Sequence, residues 1–322
     1  MEYTILSGDV PVAVTDGLNT EILDAQLAPL FLQHTLDFSR WASERAIDAS
    51  RRNSRMLKRA SGLSLTASDF DSAMRSNAAC ITDNFWVRRE GEELTWEDVK
   101  FRDDRYYRMA LASDNSVFQG KPSRTPELTN IGSREKGWRL VDGTWWLYKN
   151  QPASENEAEL LTCRIGKLLG FDMAHYEMDG EYIRTRNFTE GRANLQHADA
   201  LVYEHDGIAA EDVRYNYEVF RTLGLEAAYM NILFLDAIVN NPDRHTKNYG
   251  ILTSQEDGRV LGMAPNYDNN MAFYGGSAVN RMLLAEFREL AAECGYDFPE
   301  VSGEFERELQ QMAPRYAEEI LG

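Results

Sequence analysis

Three oxygen-bearing side chains in the last third of the chain are spaced for chemistry. The stretch 240–268 reads NNPDRHTKNYGILTSQEDGRVLGMAPNYD; Asp243 is followed five residues later by Asn248, and Asp268 closes the next apolar segment. That order suits metal-assisted phosphoryl transfer. One carboxylate at a loop tip orients a hydroxyl nucleophile, while an amide further along the loop and a second carboxylate hold divalent ions that neutralise the phosphates. Arg244 and Lys247 lie in the same loop, and each can hold it by hydrogen bonds or neutralise charge in the transition state. The five histidines do not cluster, which argues against zinc, so His245 is expected to hold the loop by hydrogen bonds. Asp236, one helix segment earlier, is expected to be a buried anchor for the basic residues.

The elements around these residues are expected to deliver them to one place. In LEAAYMNILFLDAIV (225–239), Tyr229, Ile232, Leu233 and Val239 recur at helical spacing, and Asn240, Asn241 and Pro242 end the run just before Asp243. A short strand follows at 249–253, then a turn at Asp257-Gly258 and a partner strand at 259–264, which brings Asp268 back towards Asn248.

A second informative block spans 125–169. Gly132 and Ser133 sit in a short polar loop, 138–141 and 144–148 alternate as a hairpin around Asp142-Gly143, and Lys149 ends its second strand. A glycine-bearing loop followed by a strand carrying a lysine is an arrangement that holds the α- and β-phosphates of ATP. Such a lysine needs a carboxylate. Ser154 and Glu157 have capping-box spacing at the start of a helix running to Leu169, and Glu157 and Glu159 are the candidates.

Asp followed by Asn five residues on is the spacing of the protein-kinase catalytic loop, and Asp243-Arg244-His245-x-x-Asn248 resembles the loop of phosphatidylinositol-type kinases. With Lys247 and the Tyr267-Asp268 pair, the string is most similar to that of the HipA-like serine/threonine kinases. The resemblance covers residues 125–275, and the aromatic-rich segments 81–88 and 94–99 more loosely. It implies an α+β, bilobal protein-kinase-like fold with a β-rich N-lobe and a mainly helical C-lobe, and transfer of the γ-phosphoryl group of ATP to a protein hydroxyl with Mg²⁺. Position by position, it implies that Asp243 is the catalytic base, that Asn248 and Asp268 bind Mg²⁺, and that Lys149 contacts ATP. Asn156-Glu157 is similar to the family pattern, which selects Glu157 as the partner of Lys149. The loop Ile131, Gly132, Ser133 to Lys136 would then cover the phosphates. Several members of the family are toxins paired with a small DNA-binding antitoxin. Some are switched off by phosphorylation near the glycine loop, where Thr129 and Ser133 are the local hydroxyls. One departure is that Asn269 and Asn270 follow Asp268 where protein kinases have Phe and Gly; Asn tolerates the positive φ that Gly would supply.

Composition narrows the range of functions. At 322 residues, 43% hydrophobic, the chain is long enough for more than one core; the expected division is 1–125 packing on the kinase core, 126–212 as nucleotide-binding lobe and 213–322 as catalytic lobe. A net charge of −18 disfavours direct nucleic-acid binding and docking on an anionic membrane, so the expected partners are a protein substrate and an antitoxin-like protein. The charge also disfavours a lipid headgroup as acceptor. A small-molecule kinase and a non-catalytic kinase-fold binding protein compete with the protein-kinase reading, and the complete set of Lys149, Asp243, Asn248 and Asp268 argues against the second of them. Arg51, Arg52, Arg55, Lys58 and Arg59 are expected to form a solvated helix face. Cys80, Cys163 and Cys294 lack metal-type spacing and are expected to be reduced. The start MEYTILSGDV lacks the pattern of a signal peptide, and a cytoplasmic location is expected.

Overall fold

Apolar residues at the start of the chain pair into a sheet. In the computed structural model, which describes residues 2–114, 116, 124–130, 132–202 and 209–322, β1 (Tyr3–Ser7), β2 (Val10–Thr15), β3 (Thr20–Ile22) and β4 (Phe85–Arg89) form an antiparallel sheet in the order β3-β2-β1-β4. Strict alternation would expose either Ile5 or Leu6, but the register to β2 shifts between them and both are buried. Leu6 pairs with Trp86 and joins a core with Ala79 and Val99, against which Leu94, Trp96 and Phe101 pack; the aromatic-rich segments are core.

Six short helices accompany this sheet: α1 (Leu30–Thr35), α2 (Phe38–Ser43), α3 (Ser54–Ala60), α4 (Asp69–Met74), α5 (Trp96–Val99) and α6 (Tyr107–Ala112). The expected solvated face of basic residues forms only in part, from the turn before α3 into α3 itself. Arg52, Arg55 and Arg59 are exposed, but Asp48 turns the chain by accepting from the Ser50 amide and hydroxyl, which breaks the helix and carries Arg51 inward. Arg51 is 1% exposed and donates to the carbonyls of Ala110 and Lys136, while buried Lys58 donates to Ala67 O. Local pattern sees only the helix face; these carbonyl acceptors are tertiary.

The expected second hairpin forms. β5 (Glu135–Val141) and β6 (Thr144–Asn150) pair antiparallel around Asp142 (φ 49°) and Gly143 (φ 77°), the two left-handed residues of a type I′ turn. With β7 (Tyr176–Asp179) and β8 (Tyr182–Arg186) the sheet order is β5-β6-β8-β7. A third sheet, ordered β11-β10-β9, is built from β9 (Ala193–His197), β10 (Gly250–Ser254) and β11 (Val260–Met263).

The remaining helices are α7 (Ala153–Leu168), α8 (Val213–Thr222), α9 (Glu226–Ile238), α10 (Arg281–Cys294), α11 (Gly303–Met312) and α12 (Pro314–Leu321). α7 starts earlier than its capping-box spacing suggests. Pro152, with φ −57° and ψ 152°, is the N-cap, so Ser154 already lies in the first turn and no side chain caps the helix. The C-terminal segment is helical as expected, interrupted by left-handed Gly295 and restarted by Pro314 in the first turn of α12.

Antiparallel sheets with segregated helices give the α+β class expected from the sequence. The chain divides into two compact units: Met1–Gln151 with Met178–Gln196 and Leu252–Leu261, and Pro152–Glu177 with His197–Ile251 and Gly262–Gly322. The three cysteines are free, and no helix among the described residues is long and apolar enough to cross a membrane.

Candidate active site

The loop after α9 is organised by a carboxylate that the helix buries. α9 is apolar on most of its surface, and Asp236, two residues before its end, is 1% exposed. Asn240 takes a left-handed conformation (φ 46°) that turns the chain, and buried Asn241 donates its Nδ2 to Asp236 Oδ1 at 2.9 Å. Asn241 Oδ1 in turn accepts from the Asp243 amide at 3.3 Å. Asp243 itself is exposed.

Arg244 is the centre of the arrangement. Its side chain is 8% exposed and grips Asp236 with two arms, Nε to Oδ2 and Nη2 to Oδ1, each at 2.8 Å. Nη1 donates to Asn248 O at 2.7 Å and to Tyr267 O at 2.9 Å, and Nη2 reaches Asn269 Oδ1 at 2.6 Å and Asn266 Oδ1 at 3.3 Å. Burial works against the guanidinium charge, but Asp236 more than offsets it, with Asp268 adding to the effect, and the pKa rises above its ordinary value. A single cation thus ties the 243–248 loop to the 266–269 segment. The expectation that Asp236 anchors a basic residue of the loop is met at Arg244. Lys247, one-third exposed, instead lies 3.9 Å from Asp199.

Asn248 is buried, and its Nδ2 donates back to Asp243 O at 2.8 Å. Among the described residues nothing donates to its Oδ1. The His245 ring accepts from the Lys247 amide at 3.2 Å, the loop-holding bond expected of it. Asp268 is left-handed, φ 60°, so the positive φ falls on the aspartate and not on the asparagines after it. A side-chain carbonyl group that can bond locally lowers the cost of that conformation, and the Asp268 amide is held by the Tyr176 hydroxyl at 3.0 Å.

Of the glutamates opening α7, Glu157 is exposed, whereas Glu155 and Glu159 are buried. Glu159 Oε2 accepts from the Asn269 amide at 3.0 Å and Glu155 Oε2 from Asn270 Nδ2 at 3.2 Å. The glutamates that meet the Asp268 segment are therefore Glu155 and Glu159, not Glu157. Helix spacing offers all three; only the tertiary partner distinguishes them. Nothing local in the sequence marks Tyr176 or Glu159 for this contact, because their partners lie 92 and 110 residues away.

The other expected site residues belong to the first unit. Lys149, 6% exposed, sits on β6 opposite Lys136 on β5 and Ile183 on β8. Gly132 has φ +108°, a conformation that favours glycine; a Cβ there would lie 2.6 Å from Lys136 Nζ, the end of a side chain that can swing aside. Its amide donates to Asp48 Oδ2 at 3.2 Å. Burial pushes the Asp48 carboxyl up, but bonds from Ser50 and Gly132 and the nearby Lys136 outweigh this and lower its pKa. Ser133 is exposed, whereas Thr129 is buried and donates its hydroxyl to Pro126 O. Ile131 lies outside the described residues.

Among the described residues no three His, Cys, Asp or Glu side chains cluster as a metal site. The candidate set for a hard cation is one carboxylate and one amide oxygen, those of Asp268 and Asn248. An amide oxygen to which no described residue donates suits Mg²⁺, which takes few protein oxygens and keeps several waters.

No family model matches the sequence, and no curated protein matches it. Among solved structures, the chain is similar to HipA from Shewanella oneidensis MR-1, in a complex of that toxin–antitoxin system with HipB and operator DNA. The TM-score is 0.59 at 13% identity, covering 99% of both chains. A match to the Helicobacter pylori proinflammatory kinase CtkA has TM-score 0.39 and 17% identity, covering 56% of this chain and 78% of that one. Over nearly its whole length, this chain has the fold of HipA.

Proposed function

We propose that the chain is an ATP- and Mg²⁺-dependent kinase that transfers the γ-phosphoryl group to a serine or threonine hydroxyl of a protein. The observation that carries this is the Arg244 clamp: one buried guanidinium holds the backbone of Asn248, one candidate metal-binding residue, and of Tyr267, which precedes the other, Asp268. Asp243, exposed at the loop tip, orients the acceptor hydroxyl and takes its proton. Asn248 Oδ1 and the Asp268 carboxylate hold the cation, which when bound offsets the charge of the phosphates. Lys247 adds positive charge beside the transferred group. Arg244 has its donors committed to Asp236, Asn248, Tyr267, Asn266 and Asn269, so its part is to position the loop. In the first unit, the same proposal gives Lys149, Lys136 and the loop at Ile131, Gly132 and Ser133 a phosphate-binding role. Of the three glutamates opening α7, Glu159 is the most deeply buried and bonds the Asn269 amide, so in the second unit it is Glu159 and not Glu157 that supports the Asp268 segment.

The net charge of −18 favours a protein acceptor over a lipid headgroup. The solved HipA is bound to HipB and operator DNA; by analogy we propose a small antitoxin-like partner here, with any DNA contact made by that partner. Labelled ATP incubated with a protein extract, lipids and metabolites tests the acceptor. Label should enter protein, and Asp243→Asn should abolish it while leaving nucleotide binding within about twofold. Retained turnover in that variant would defeat the assignment.

A further inference from the structure

The segment where β9 ends grips the proposed catalytic loop at several points. Ala198 N donates to Tyr249 O at 2.9 Å, Asp199 N to Thr246 O at 3.3 Å, and the Asp199 carboxylate lies 3.9 Å from Lys247 Nζ. His197 completes the set through a tyrosine: its Nδ1 is 2.8 Å from Tyr267 Oη, and Tyr267 Oη is 3.1 Å from Lys247 O. A phenol has one proton and a backbone carbonyl can only accept, so the tyrosine proton goes to Lys247 O. The 2.8 Å contact then needs its proton from the imidazole.

We propose that His197 is a positioning residue for phosphoryl transfer: as the Nδ1–H tautomer it donates to Tyr267 Oη, which donates on to Lys247 O. Tyr267 adjoins Asp268 in the chain, and Lys247 adjoins Asn248. The relay therefore links the backbone beside one candidate metal oxygen to the backbone beside the other. Arg244 makes the companion link, from Asn248 O to Tyr267 O, so the two segments are pinned at two points and their separation and relative twist are both fixed. The other bonds to residues 247 and 248 come from within the loop, from the His245 ring and carbonyl and the Asp243 carbonyl, so without the relay Arg244 is left as the link from this peptide to the Tyr267 segment and Asn248 Oδ1 is held less firmly towards the cation. Relays of this kind fix the tautomer and orientation of groups behind a metal site, and their loss costs roughly 10–100-fold in activity or affinity.

This inference rests on the proposed kinase activity, and its test separates the two. In the full chain, His197→Ala and Tyr267→Phe should each lower kcat by roughly 10–100-fold, with nucleotide Kd within about twofold and the double variant no worse than the lower single. His197→Asn places an amide N–H where Nδ1–H was and should recover most of kcat. Nitrogen NMR of wild-type His197 should show the proton on Nδ1. A proton on Nε2, kcat unchanged in both single variants, or failure of His197→Asn to rescue a well-folded protein would overturn the relay. If the wild type transfers no phosphoryl group to any acceptor, the kinase proposal fails and the positioning role with it, while the tautomer still decides whether the relay exists.

Discussion

Replacing Arg244 by Met removes the cation that holds the loop, and the structure sets the size of the effect. Asp236 is 1% exposed, and without the guanidinium its carboxylate keeps Asn241 Nδ2 as a donor but loses its counter-charge. Leaving one member of a buried pair alone costs about 3–5 kcal/mol. Asp236→Leu leaves the guanidinium uncompensated and should cost about the same. The double variant, Asp236→Leu with Arg244→Met, strands no charge, so it should cost about as much as one single change and not the sum; the coupling should be at least about 2 kcal/mol. All six tryptophans, Trp41, Trp86, Trp96, Trp138, Trp145 and Trp146, belong to the first unit, so tryptophan fluorescence is blind to this change. Hydrogen exchange of the α9 amides, followed by mass spectrometry, reads the second unit directly. Additive single costs, or a cost under about 1 kcal/mol for Arg244→Met, would refute the claim that this pair organises the loop.

Glu159→Ala should destabilise the second unit by about 1–3 kcal/mol by leaving the Asn269 amide unpaired, while Glu157→Ala should stay within about 0.5 kcal/mol of wild type; the same exchange experiment compares them. Burial raises the pKa of Glu127, which is 0% exposed and accepts from the Thr125 hydroxyl and the Trp138 amide. The folded state thus favours the protonated acid, and its contribution to stability declines as pH rises above the ordinary glutamate range. Thermal melts between about pH 4 and pH 8 should therefore slope less in Glu127→Gln than in wild type, all else in the chain being shared. Gly132→Ala meets both a left-handed φ and the Lys136 ammonium, and should weaken nucleotide binding measured by calorimetry more than it lowers the melting temperature.

What the sequence makes legible is local. The Asp142-Gly143 turn and the helix ending at Asn240-Asn241-Pro242 depend on neighbours within a few residues, and both elements form as expected. Contacts made across long stretches of chain are hidden. Arg51 reads as a surface arginine because its acceptors, Ala110 O and Lys136 O, are 59 and 85 residues away. Glu157 and Glu159 are equivalent by composition, and a segment 110 residues on selects Glu159. His197 sits at a strand end with nothing nearby in sequence to mark it; its partner Tyr267 is 70 residues distant. The start of α7 differs for another reason, since a proline sets the entry on its own and the capping-box spacing one turn in goes unused.

A structure of the chain with a non-hydrolysable ATP analogue and Mg²⁺ bears most directly on whether this loop is a phosphoryl-transfer site. The cation should be bound by Asn248 Oδ1 and the Asp268 carboxylate, with the γ-phosphate facing Asp243. A nucleotide bound with its metal held by neither Asn248 nor Asp268 would contradict it.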